Sequence, residues 1–583
     1  MSIPDAQSED DCSDSDDENF EVSLSAPSGS DYSDEPESDE PESDEPEPPA
    51  PKIRKRQSKT PQYKWKKLHL ALPAFTDMNE TLALKPEHKL SATTAPIHFF
   101  RILLTTDIVD HLVFQTNLYM TQKMADSSRR PSYVTADDIK KFIGVLCYTG
   151  IVKMSSRRMY WAPATRQTLV ANTMSRNRFE EILNNLHVND NSLMKKAGED
   201  GYDKLYKLRP LIDMLNASFN NVCTPETTQS IDEMMIPSKI RHSMKVYMPN
   251  KPIKWGYKVW VRAGASGYVY KFELFDGKAS GPPPGVDLPE GIGESGCVVI
   301  RLCEDLAPYH RVFFDNYFAS IELLKYLRSR EIHATCTIQS NRTRNCPLLC
   351  DKDLKRGGRG SFDYRVEESE QVTVVKWYDN KSVHAASNWQ GLNPLDTCRR
   401  FDRKQKCYVE VQRPALIESY NKSMGGVDKA DYLLELNRIF FKTRKWYLRI
   451  VIHLIDLTIN NSWVLYRSAG GKGSLKDFRL DLARCLLASV ADADDESDNT
   501  EDPDAPLLPL PRSRGKAAMR NVPDAVRLDR KDHCHGKGDT KNSQRCSLPG
   551  CKRKTRYICK KCNLYLCVVK GDYFESFHGQ KKQ

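Results

Sequence analysis

The sequence of 583 residues predicts a multidomain α/β protein. Three observations lead to this prediction. Apolar residues recur at helical spacing from residue 95 to 228, short alternating segments mixed with helices follow from residue 229, and six of the 17 cysteines lie between Cys534 and Cys567. Such a length suggests about three or four folding units of roughly 100–200 residues. No stretch approaches the roughly 18 consecutive apolar residues of a membrane span, and the N-terminus is acidic, so we expect neither a membrane span nor a secretory signal.

Charge is distributed unevenly along the chain. Residues 1–50 hold 19 of the 78 Asp and Glu residues and none of the 87 Lys and Arg residues, so residues 51–583 carry +28 although the whole chain carries +9. A chain this basic predicts a polyanionic partner, most simply nucleic acid; the alternative is a Lys-rich surface that only aids solubility.

The acidic segment has too few apolar residues to offset the entropy of ordering, so we expect disorder there. The run KIRKRQSK at 52–59 is typical of a nuclear-localisation signal, a DNA contact or an ordinary basic linker.

Helical patterns dominate the first folded region. The segments with this spacing are 97–123, 139–146, 175–187 and 204–221. Thr135 and Asp138 precede the second of them in the T-x-x-D arrangement of a capping box. The apolar stripes predict a packed helical core more readily than a ligand site.

Strands and helices alternate from residue 229. The predicted elements are strands at 229–236, 255–262 and 268–275, a helix at 297–306, a strand at 311–314, a helix at 321–330 and a strand at 333–338. The second and third strands are joined by Gly-Ala-Ser-Gly, which predicts a hairpin. This order predicts an α/β core with a mixed sheet.

Residues 341–413 interrupt this pattern with glycines, charges and two strand-like segments, which predicts an inserted β-rich module. Helical spacing returns after Gly426 and continues, with breaks, to about residue 467. Eight acidic residues at 492–504 and the Pro-rich run PLLPLPR then predict a linker ahead of the final Cys/His-rich segment.

Three aspartates occupy positions where carboxylates can meet. Asp232 follows Ile231 and is placed at the end of a predicted strand, Asp315 directly follows the apolar strand 311–314, and Asp428 lies near a helix start after two glycines. Carboxylates at strand ends can project from one edge of a sheet, and a helix packed there can add a third. Their mutual repulsion is removed by Mg²⁺ (or Mn²⁺), and two such ions about 3.5–4 Å apart suit displacement at a phosphodiester. The alternative for each aspartate is a turn-forming role.

Four separated motifs carry a resemblance to a known family. They are SIDE at 230–233, YMPNKP at 247–252, FDNYF at 314–318 and MGGVD at 424–428. Their order resembles that of the piggyBac family of DDE/D transposases, and the similarity runs from about residue 95 into the Cys/His-rich segment. The resemblance implies an RNase H-like catalytic core in which Asp232, Asp315 and Asp428 form the metal-binding triad. Asp431 matches a further acidic position of the family.

The resemblance also implies an activity. Such enzymes nick transposon ends, the freed 3′-hydroxyl attacks the opposite strand to form a hairpin, and the reopened ends join a TTAA target. Water and DNA hydroxyls are the nucleophiles, so no serine or cysteine nucleophile is needed. Two transposon ends must be held together, which implies a homodimer acting on double-stranded DNA in the nucleus.

Several basic and aromatic residues are candidates for DNA contact. Asn341 and Arg342, with Gln339 and Ser340, resemble a segment that engages target DNA, although the family often carries a basic residue where this chain has Gln339. The other candidates are Lys254, Arg444, Lys445 and Trp446. Lys254 lies among aromatic residues that line a DNA groove or, alternatively, pack on a strand surface with lysines extending to solvent. Trp446 is either a stacking group beside phosphate-binding cations or a core residue beside solvated cations.

The C-terminal Cys and His residues have the spacing of zinc ligands. The candidates are His533, Cys546, Cys551, Cys559, Cys562, Cys567 and His578, with His535 as the alternative to His533. A segment of about 50 residues has a small core, so metal can supply the missing stability. The family resemblance implies a cross-brace-type zinc domain that recognises transposon ends, but Tyr573 stands where a Cys is common. Cys534 could substitute, so one or two zinc ions are expected.

These patterns predict a particular domain organisation. The parts are an acidic tail and basic segment at 1–94, a helical dimerisation and DNA-binding domain at 95–228 and 438–487, a catalytic core at 229–340 and 414–437, an insertion at 341–413, a linker at 488–529 and a zinc domain at 530–583. The predicted function is a metal-dependent cut-and-paste DNA transposase. The alternatives are a domesticated relative that binds DNA without mobilising it and a chromatin-reader or protein-interaction module built on the zinc domain.

Overall fold

The computed structural model describes most of the folded parts of the chain. The described residues are 63–68, 80–123, 132–249, 251–277, 281–283, 285–368, 372–403, 405–439, 442–488, 533–538, 543–548, 551, 553–562, 564–568 and 573–579. The predictions for the acidic tail, for the KIRKRQSK run and for nearly all of the acidic and Pro-rich linker lie outside these residues.

Helices account for much of the described chain. In order they are α1 (Pro96–Arg101), α2 (Thr106–Lys123), α3 (Ala136–Ile151), α4 (Thr168–Thr173), α5 (Arg176–Asn185), α6 (Arg209–Asn221), α7 (Glu294–Leu302), α8 (Ile321–Ser329), α9 (Asp351–Arg356), α10 (Ala415–Ser423), α11 (Gly426–Leu436), α12 (Trp446–Ser468), α13 (Leu475–Ala488) and α14 (Tyr573–His578). In the described part of the chain, no helix combines the length and the apolarity needed to cross a bilayer.

Strands are concentrated in the middle of the chain and recur near its C-terminus. In order they are β1 (Trp65–Lys66), β2 (Ala83–Leu84), β3 (Cys223–Thr224), β4 (Thr228–Pro237), β5 (Lys245–Tyr247), β6 (Trp255–Gly264), β7 (Val269–Leu274), β8 (Arg311–Phe314), β9 (His333–Thr337), β10 (Phe362–Glu367), β11 (Val372–Tyr378), β12 (Ser382–Ser387), β13 (Asp396–Asp402), β14 (Cys407–Arg413), β15 (His535–Lys537), β16 (Gln544–Arg545), β17 (Lys554–Thr555), β18 (Tyr557–Cys559) and β19 (Leu564–Tyr565). Helices and strands thus form a mixed α/β protein of several parts.

The chain divides into two compact units. One comprises Met1–Glu80, Thr227–Asp232 and Ser280–Val427, and the other comprises Thr81–Glu226, Glu233–Ala279 and Asp428–Gln583. Strand β4 contributes its first five residues to the first unit and the rest to the second.

The first unit is built around a sheet in the order β1-β10-β11-β12-β9-β8-β4. The pairs β4/β8 and β8/β9 are parallel, and the others are antiparallel. Val312, Phe313 and Phe314 of β8 are all buried, as expected for a parallel strand covered on both faces. Because β12 pairs with β9, strands β10–β12 continue this sheet, whereas β13 and β14 form a two-stranded ribbon of their own.

The second unit combines the remaining strands with most of the helices. Strands β5 and β7 both pair antiparallel with β6. Helix α3 packs against α13, and α1 packs against α12 and α13. Helix α3 begins with the predicted capping box, in which the Thr135 side chain accepts from the backbone of Asp138 and the Asp138 side chain accepts from the backbone of Thr135.

A buried ion pair joins α12 to α13. Arg479 and Asp456 have side chains only 0% and 1% exposed, and the Arg479 guanidinium bonds the Asp456 carboxylate. The same guanidinium donates to Asn460 Oδ1 at 2.7 Å and to the Asn437 carbonyl at 3.1 Å. These extra acceptors satisfy donors that burial would otherwise leave unpaired.

Most elements of the predicted α/β core are observed. Strand β8 has the predicted bounds, strands β6 and β7 form the predicted hairpin, and α8 and β9 lie within one residue of their predicted limits. The sequence did not predict the short strand β5. In the region 341–413 it predicted two strands, and the described residues of that region form five. The predicted division of the chain into eight parts stays a prediction.

Candidate functional site

The parallel register of β4 and β8 brings two of the three candidate aspartates together. Ser230 pairs with Phe313, and Ile231 pairs with Phe314. Asp232 and Asp315 are the residues that directly follow this last pair. Neighbouring strands lie about 4.8 Å apart, which makes these aspartates neighbours across the sheet. Both are partly buried. The sequence placed Asp232 at a strand end, which is wrong: β4 continues to Pro237, so Asp232 lies within the strand.

The surroundings of Tyr420 support this convergence. Burial raises the pKa of the Tyr420 phenol well above its ordinary value, and the negative charges of Asp315 and Asp232 raise it further. Two carboxylates therefore act on one buried group from adjacent strands. Such a pair resists joint ionisation without a cation between its members.

Asp315 lies in a turn that is fixed from both sides. Its Oδ1 accepts a hydrogen bond from the Tyr317 backbone at 2.9 Å, which is the contact expected of a turn-forming aspartate. Arg342 Nη1 donates to the carbonyls of Asn316, Tyr317 and Ala319 at 2.9, 2.9 and 3.2 Å. The turn-forming role predicted as the alternative for Asp315 is therefore observed. The same turn directly follows β8, which pairs with β4.

Asp428 lies in the first turn of α11, in the second unit. It directly follows Val427, whose backbone N–H donates to Ser230 Oγ at 3.2 Å within the first unit. Asp428 is exposed in part, yet loss of hydration next to the surrounding protein raises its pKa. The positive charge of Lys251 opposes this shift, and the negative charge of Glu233 adds to it. Lys251 also forms an ion pair with Glu233 at 3.3 Å. A carboxyl group with a raised pKa beside a second acid is typical of a functional site.

Asp431 has a different environment one turn further along α11. Burial raises its pKa, and the positive charge of Arg438 opposes the shift. Arg438 forms ion pairs with Asp431 at 3.1 Å and with Glu435 at 2.9 Å. These ion pairs indicate a structural role for the Asp431 carboxylate.

Comparison with known proteins identifies the family. A family model described as Transposase IS4 matches residues 95–463. The human PiggyBac transposable element-derived protein 3 is 31% identical over 527 residues, which cover 89% of this chain and 82% of that protein. The human PiggyBac transposable element-derived protein 2 is 32% identical over 412 residues, covering 69% of this chain and 67% of that protein.

The chain belongs to the piggyBac transposase family. The fold agrees with a cryo-EM structure of a piggyBac transposase synaptic complex with hairpin DNA, with a TM-score of 0.57 at 19% identity. That match covers 84% of this chain and 99% of the other. The resemblance that the four motifs carry is therefore confirmed at the level of the family.

In this piggyBac family member, the segment after β9 carries two candidate DNA-contacting residues, of which one is exposed and the other forms hydrogen bonds within the protein. Asn341 is exposed in a short 3₁₀ turn, and Gln339 just before the turn is also exposed. Arg342, by contrast, is the residue that bonds three carbonyls of the Asp315 turn. Its positioning role was not predictable from the sequence, because those carbonyls lie 23 to 26 residues earlier.

The β5–β6 hairpin presents aromatic rings to solvent. Tyr247 and Trp255 are 48% and 51% exposed, and their ring centroids lie 4.7 Å apart. Lys245 Nζ lies 4.6 Å from the centre of the Trp255 ring. Lys254 is exposed beside them, whereas Tyr257 is buried. The strand-packing alternative therefore describes Tyr257, and the other two rings are available for stacking.

The segment before α12 likewise contains one exposed candidate and others that contact the protein. Arg444 is exposed, and Lys445 is partly buried with its ammonium group bonded to the Asn184 carbonyl. Trp446, the first residue of α12, stacks on His242 with ring centroids 4.3 Å apart. Because the Trp446 side chain is partly buried, the structure is compatible with both a stacking group and a core residue.

The seven candidate zinc ligands gather into two groups. One group is His533, Cys559, Cys562 and His578, and the other is Cys546, Cys551 and Cys567; within each, the ligand atoms lie within 4.8 Å of one another. Cys534 is exposed and lies outside both groups, and Tyr573 begins α14.

The four-residue group has the donor set of a structural zinc site. Cys562 Sγ lies 3.5 Å from His533 Nδ1 and 3.4 Å from His578 Nε2. His578 Nδ1 lies 2.8 Å from the Phe574 carbonyl, a contact that directs Nε2 towards the cysteines. Two thiolates and two imidazoles fit tetrahedral zinc, whereas the described residues of the other group supply three thiolates.

Proposed function

We propose that this piggyBac family member is a cut-and-paste DNA transposase that binds transposon ends, excises them through hairpin intermediates and joins them to TTAA targets. The observation that carries the proposal is the parallel register that makes Asp232, within β4, and Asp315, just past the end of β8, neighbours across the sheet. Family membership supports DNA cleavage and transfer in general, and the register supplies a reason why these two residues would perform it.

Asp232, Asp315 and Asp428 would hold the catalytic metal ions. Carboxylate oxygens are the ligands that Mg²⁺ and Mn²⁺ prefer, and the paired charges that act on Tyr420 fit such a cation. When bound, two such ions would stabilise the attacking and leaving oxygens of the displacement.

Other residues in each unit would orient the reacting groups or contact DNA. Arg342 bonds the turn that carries Asp315. Lys251 forms an ion pair with Glu233, the residue after Asp232. Lys254, Asn341 and Arg444 are exposed cations or donors that would contact DNA phosphates. The main contribution of such a protein is to hold the attacking hydroxyl and the phosphodiester in the geometry that the reaction requires.

The remaining parts would serve assembly and recognition. We propose an RNase H-like core with a β-rich insertion, a split helical domain for dimerisation and DNA binding, and a C-terminal cross-brace-type zinc domain that recognises transposon ends. His533, Cys559, Cys562 and His578 would hold one zinc ion; Cys546, Cys551 and Cys567 would hold a second. The protein would act as a homodimer in the nucleus.

The second candidate function is that of a domesticated DNA-binding protein without transposition activity. The exposed Gln339 favours it, because a neutral side chain there weakens the attraction of this turn for a target phosphate. Terminal inverted repeats flanked by TTAA around the coding region would support a mobile element, and their absence would favour domestication.

A cleavage assay tests the proposal. The wild-type chain and the variants Asp232→Asn, Asp315→Asn and Asp428→Asn are incubated with Mg²⁺ and a TTAA-flanked end substrate. We expect each variant to lose cleavage by at least about 10²-fold while it keeps its DNA affinity, since the change removes a charge at nearly constant shape. Asp137→Asn, on the exposed face of α3, is the matched control.

Two outcomes would contradict the proposal. Cleavage by all three variants at the wild-type rate would remove the aspartates from the chemistry. End-specific binding by a wild-type chain that never cuts would instead support the domesticated alternative.

A further inference from the structure

Three lysines from separate segments of the second unit converge on one aromatic stack. Lys123 is the last residue of α2, Lys207 lies just before α6, and Lys445 directly precedes α12. Because these positions are more than 80 residues apart along the chain, their convergence is a property of the fold and is not visible in the sequence.

The stack consists of Tyr119, His187 and Tyr447. The ring centroids of Tyr119 and His187 are 3.5 Å apart, and those of His187 and Tyr447 are 5.4 Å apart. Lys123 Nζ lies 5.9 Å from the centre of the Tyr119 ring, and Lys207 Nζ lies 5.6 Å from that of Tyr447. An ammonium group therefore flanks each end of the stack.

Neutral acceptors hold two of the ammonium groups. Lys123 Nζ donates to Asn185 Oδ1 at 3.4 Å, and Lys445 Nζ donates to the carbonyl of the adjacent Asn184. Within the described part of the chain, none of the three lysines forms a salt bridge with a carboxylate. Asp190, the acid nearest to His187 in sequence, bonds Gln122 and Ser192 instead.

His187 does not add a charge to the cluster. Its Nδ1 lies 3.0 Å from the Asn185 carbonyl and its Nε2 lies 3.0 Å from Asn191 Nδ2, which fits a neutral ring that donates at one nitrogen and accepts at the other. Burial lowers the pKa of His187 to about 4, and the neighbouring lysines contribute to the shift. Burial, followed by the charges of Lys123 and Lys207, lowers the pKa of Lys445 as well.

Among the described residues, these contacts leave three like charges together with no carboxylate in a salt bridge to any of them. Each ammonium group has three donors, and the acceptors named above use only one donor each of Lys123 and Lys445. An anion with several oxygens would satisfy the remaining donors and relieve the repulsion. Lysine is suited to phosphate as a point charge and does not require the planar geometry of a base edge.

We propose that Lys123, Lys207 and Lys445 form a binding site for backbone phosphates of double-stranded DNA. The proposal rests on the proposed function, and it adds Lys123 and Lys207 to the DNA-contacting residues. Because the site reads phosphate and not bases, it would contribute affinity and orientation at any sequence.

The salt dependence of DNA binding by the full chain tests this site. Anisotropy titrations with a fluorescent duplex between 50 and 300 mM KCl are compared for the wild type, Lys123→Gln, Lys207→Gln, Lys445→Gln and the triple variant. We expect each single change to reduce the slope of log K against log[salt] by about 0.9, and the triple change to reduce it by about three times as much. The three Lys→Arg variants keep the charge and should keep the slope.

Lys476→Gln is the control, because Lys476 is an exposed lysine on α13 of the same unit. Circular dichroism melts accompany every variant, so that the comparison is made among folded proteins; if the triple variant does not fold, the single variants decide. Slopes that stay at the wild-type value in folded variants would overturn the site. So would an equal reduction in Lys476→Gln, since that would reflect general charge.

Cleavage assays separate this proposal from the proposed function. The lysine variants should lose cleavage at limiting DNA and regain it at saturating DNA, whereas Asp232→Asn should lose it at every DNA concentration. If the wild type never cleaves but the slopes fall as expected, the phosphate site stands and the transposase assignment fails. If the wild type cleaves and the slopes do not change, the phosphate site alone fails.

Discussion

At the scale of single residues, the site depends on groups that hold the aspartates as much as on the aspartates themselves. Arg342 is the example: a residue that the family resemblance associates with target DNA bonds three carbonyls around the turn of Asp315. A charged donor that satisfies several carbonyls stabilises a turn more than a neutral one does. The local motif FDNYF is therefore held in part by an arginine from a later segment of the chain.

We predict that Arg342→Gln lowers cleavage by roughly tenfold at saturating DNA, because Asp315 loses its position. Loss of a charge-assisted contact should also destabilise the fold by about 1–3 kcal/mol, measured as a lower melting temperature. Asn341→Ala, one residue earlier and exposed, should weaken DNA binding without changing the melting temperature. Equal cleavage by Arg342→Gln and the wild type would exclude the positioning role.

The capping box of α3 predicts a pH-dependent stability. Burial raises the pKa of Asp138, but hydrogen bonds from Arg178 and from the Thr135 backbone lower it by more. A carboxyl group whose pKa is lower in the folded state adds stability above its ordinary pKa of about 3.9, and that stability is lost as the pH falls through the lower folded-state value. Asp138→Asn should therefore melt at a lower temperature at pH 7, and the difference from the wild type should shrink as the pH falls below the ordinary pKa of a carboxyl group and through the lower folded-state value.

Melting curves at several pH values measure this effect. The neighbouring Asp137→Asn removes an exposed ion pair with Lys141 and should change the melting temperature little at any pH. A difference between Asp138→Asn and the wild type that persists unchanged at low pH would contradict the interpretation.

At the scale of elements, the sequence was informative where the pattern was strong. Strand β8 is a run of buried residues, and β6 and β7 alternate around a Gly-containing turn, so both signals survive in the structure. Strand β5 has only three residues, which is too short for any period to show. Strand β12 reads SVHAAS and contains no strong alternation; its pairing with β9 is a long-range event that local patterns do not encode.

The candidate site divides along the same line. The candidate acids and the candidate zinc ligands could be named from motifs and spacing because each group lies in short segments of the sequence. The contact of Arg342 and the convergence of Lys123, Lys207 and Lys445 depend on the tertiary fold. Sequence reasoning named Arg342 and Lys445 without the neighbours that give each its role.

The zinc segment gives a prediction at this scale. The group of His533, Cys559, Cys562 and His578 supplies four ligands, and Cys546, Cys551 and Cys567 supply three among the described residues. We expect Cys559→Ser to unfold the segment and abolish end-specific binding, because binding of structural zinc contributes folding free energy. Cys551→Ser should remove at most the second zinc ion.

Native mass spectrometry of the full chain counts the zinc ions, and a chelator titration measures how readily each is lost. The wild type should lose one ion before the other, and Tyr573→Cys should make the weaker ion more resistant if that position can supply the missing ligand. Two ions lost together at one chelator concentration would contradict the difference between the groups. Complete removal of metal with unchanged folding would contradict the structural role of zinc.

At the scale of the whole molecule, the dominant feature is the division of charge. Residues 1–50 carry 19 acidic groups and no Lys or Arg, and the rest of the chain carries +28. Phosphate contacts by a basic protein depend steeply on salt, and a covalently attached polyanion competes for the same cations. If the chain binds DNA as proposed, its acidic segment would compete with DNA for the basic surface.

We predict that neutralising this segment strengthens DNA binding. Replacing the 19 acidic residues of positions 1–50 by Asn and Gln keeps the length and raises the net charge of the chain from +9 to +28. A duplex without transposon ends should then bind several-fold more tightly near 50 mM salt, and the gain should shrink towards 0.5 M because screening shortens the reach of the charges. A chain with the first 50 residues in shuffled order is the matched control and should bind like the wild type, since only the charge count matters to this competition. Affinities that agree at low salt for the neutralised and wild-type chains would mean that the acidic segment does not reach the lysines and arginines that bind DNA.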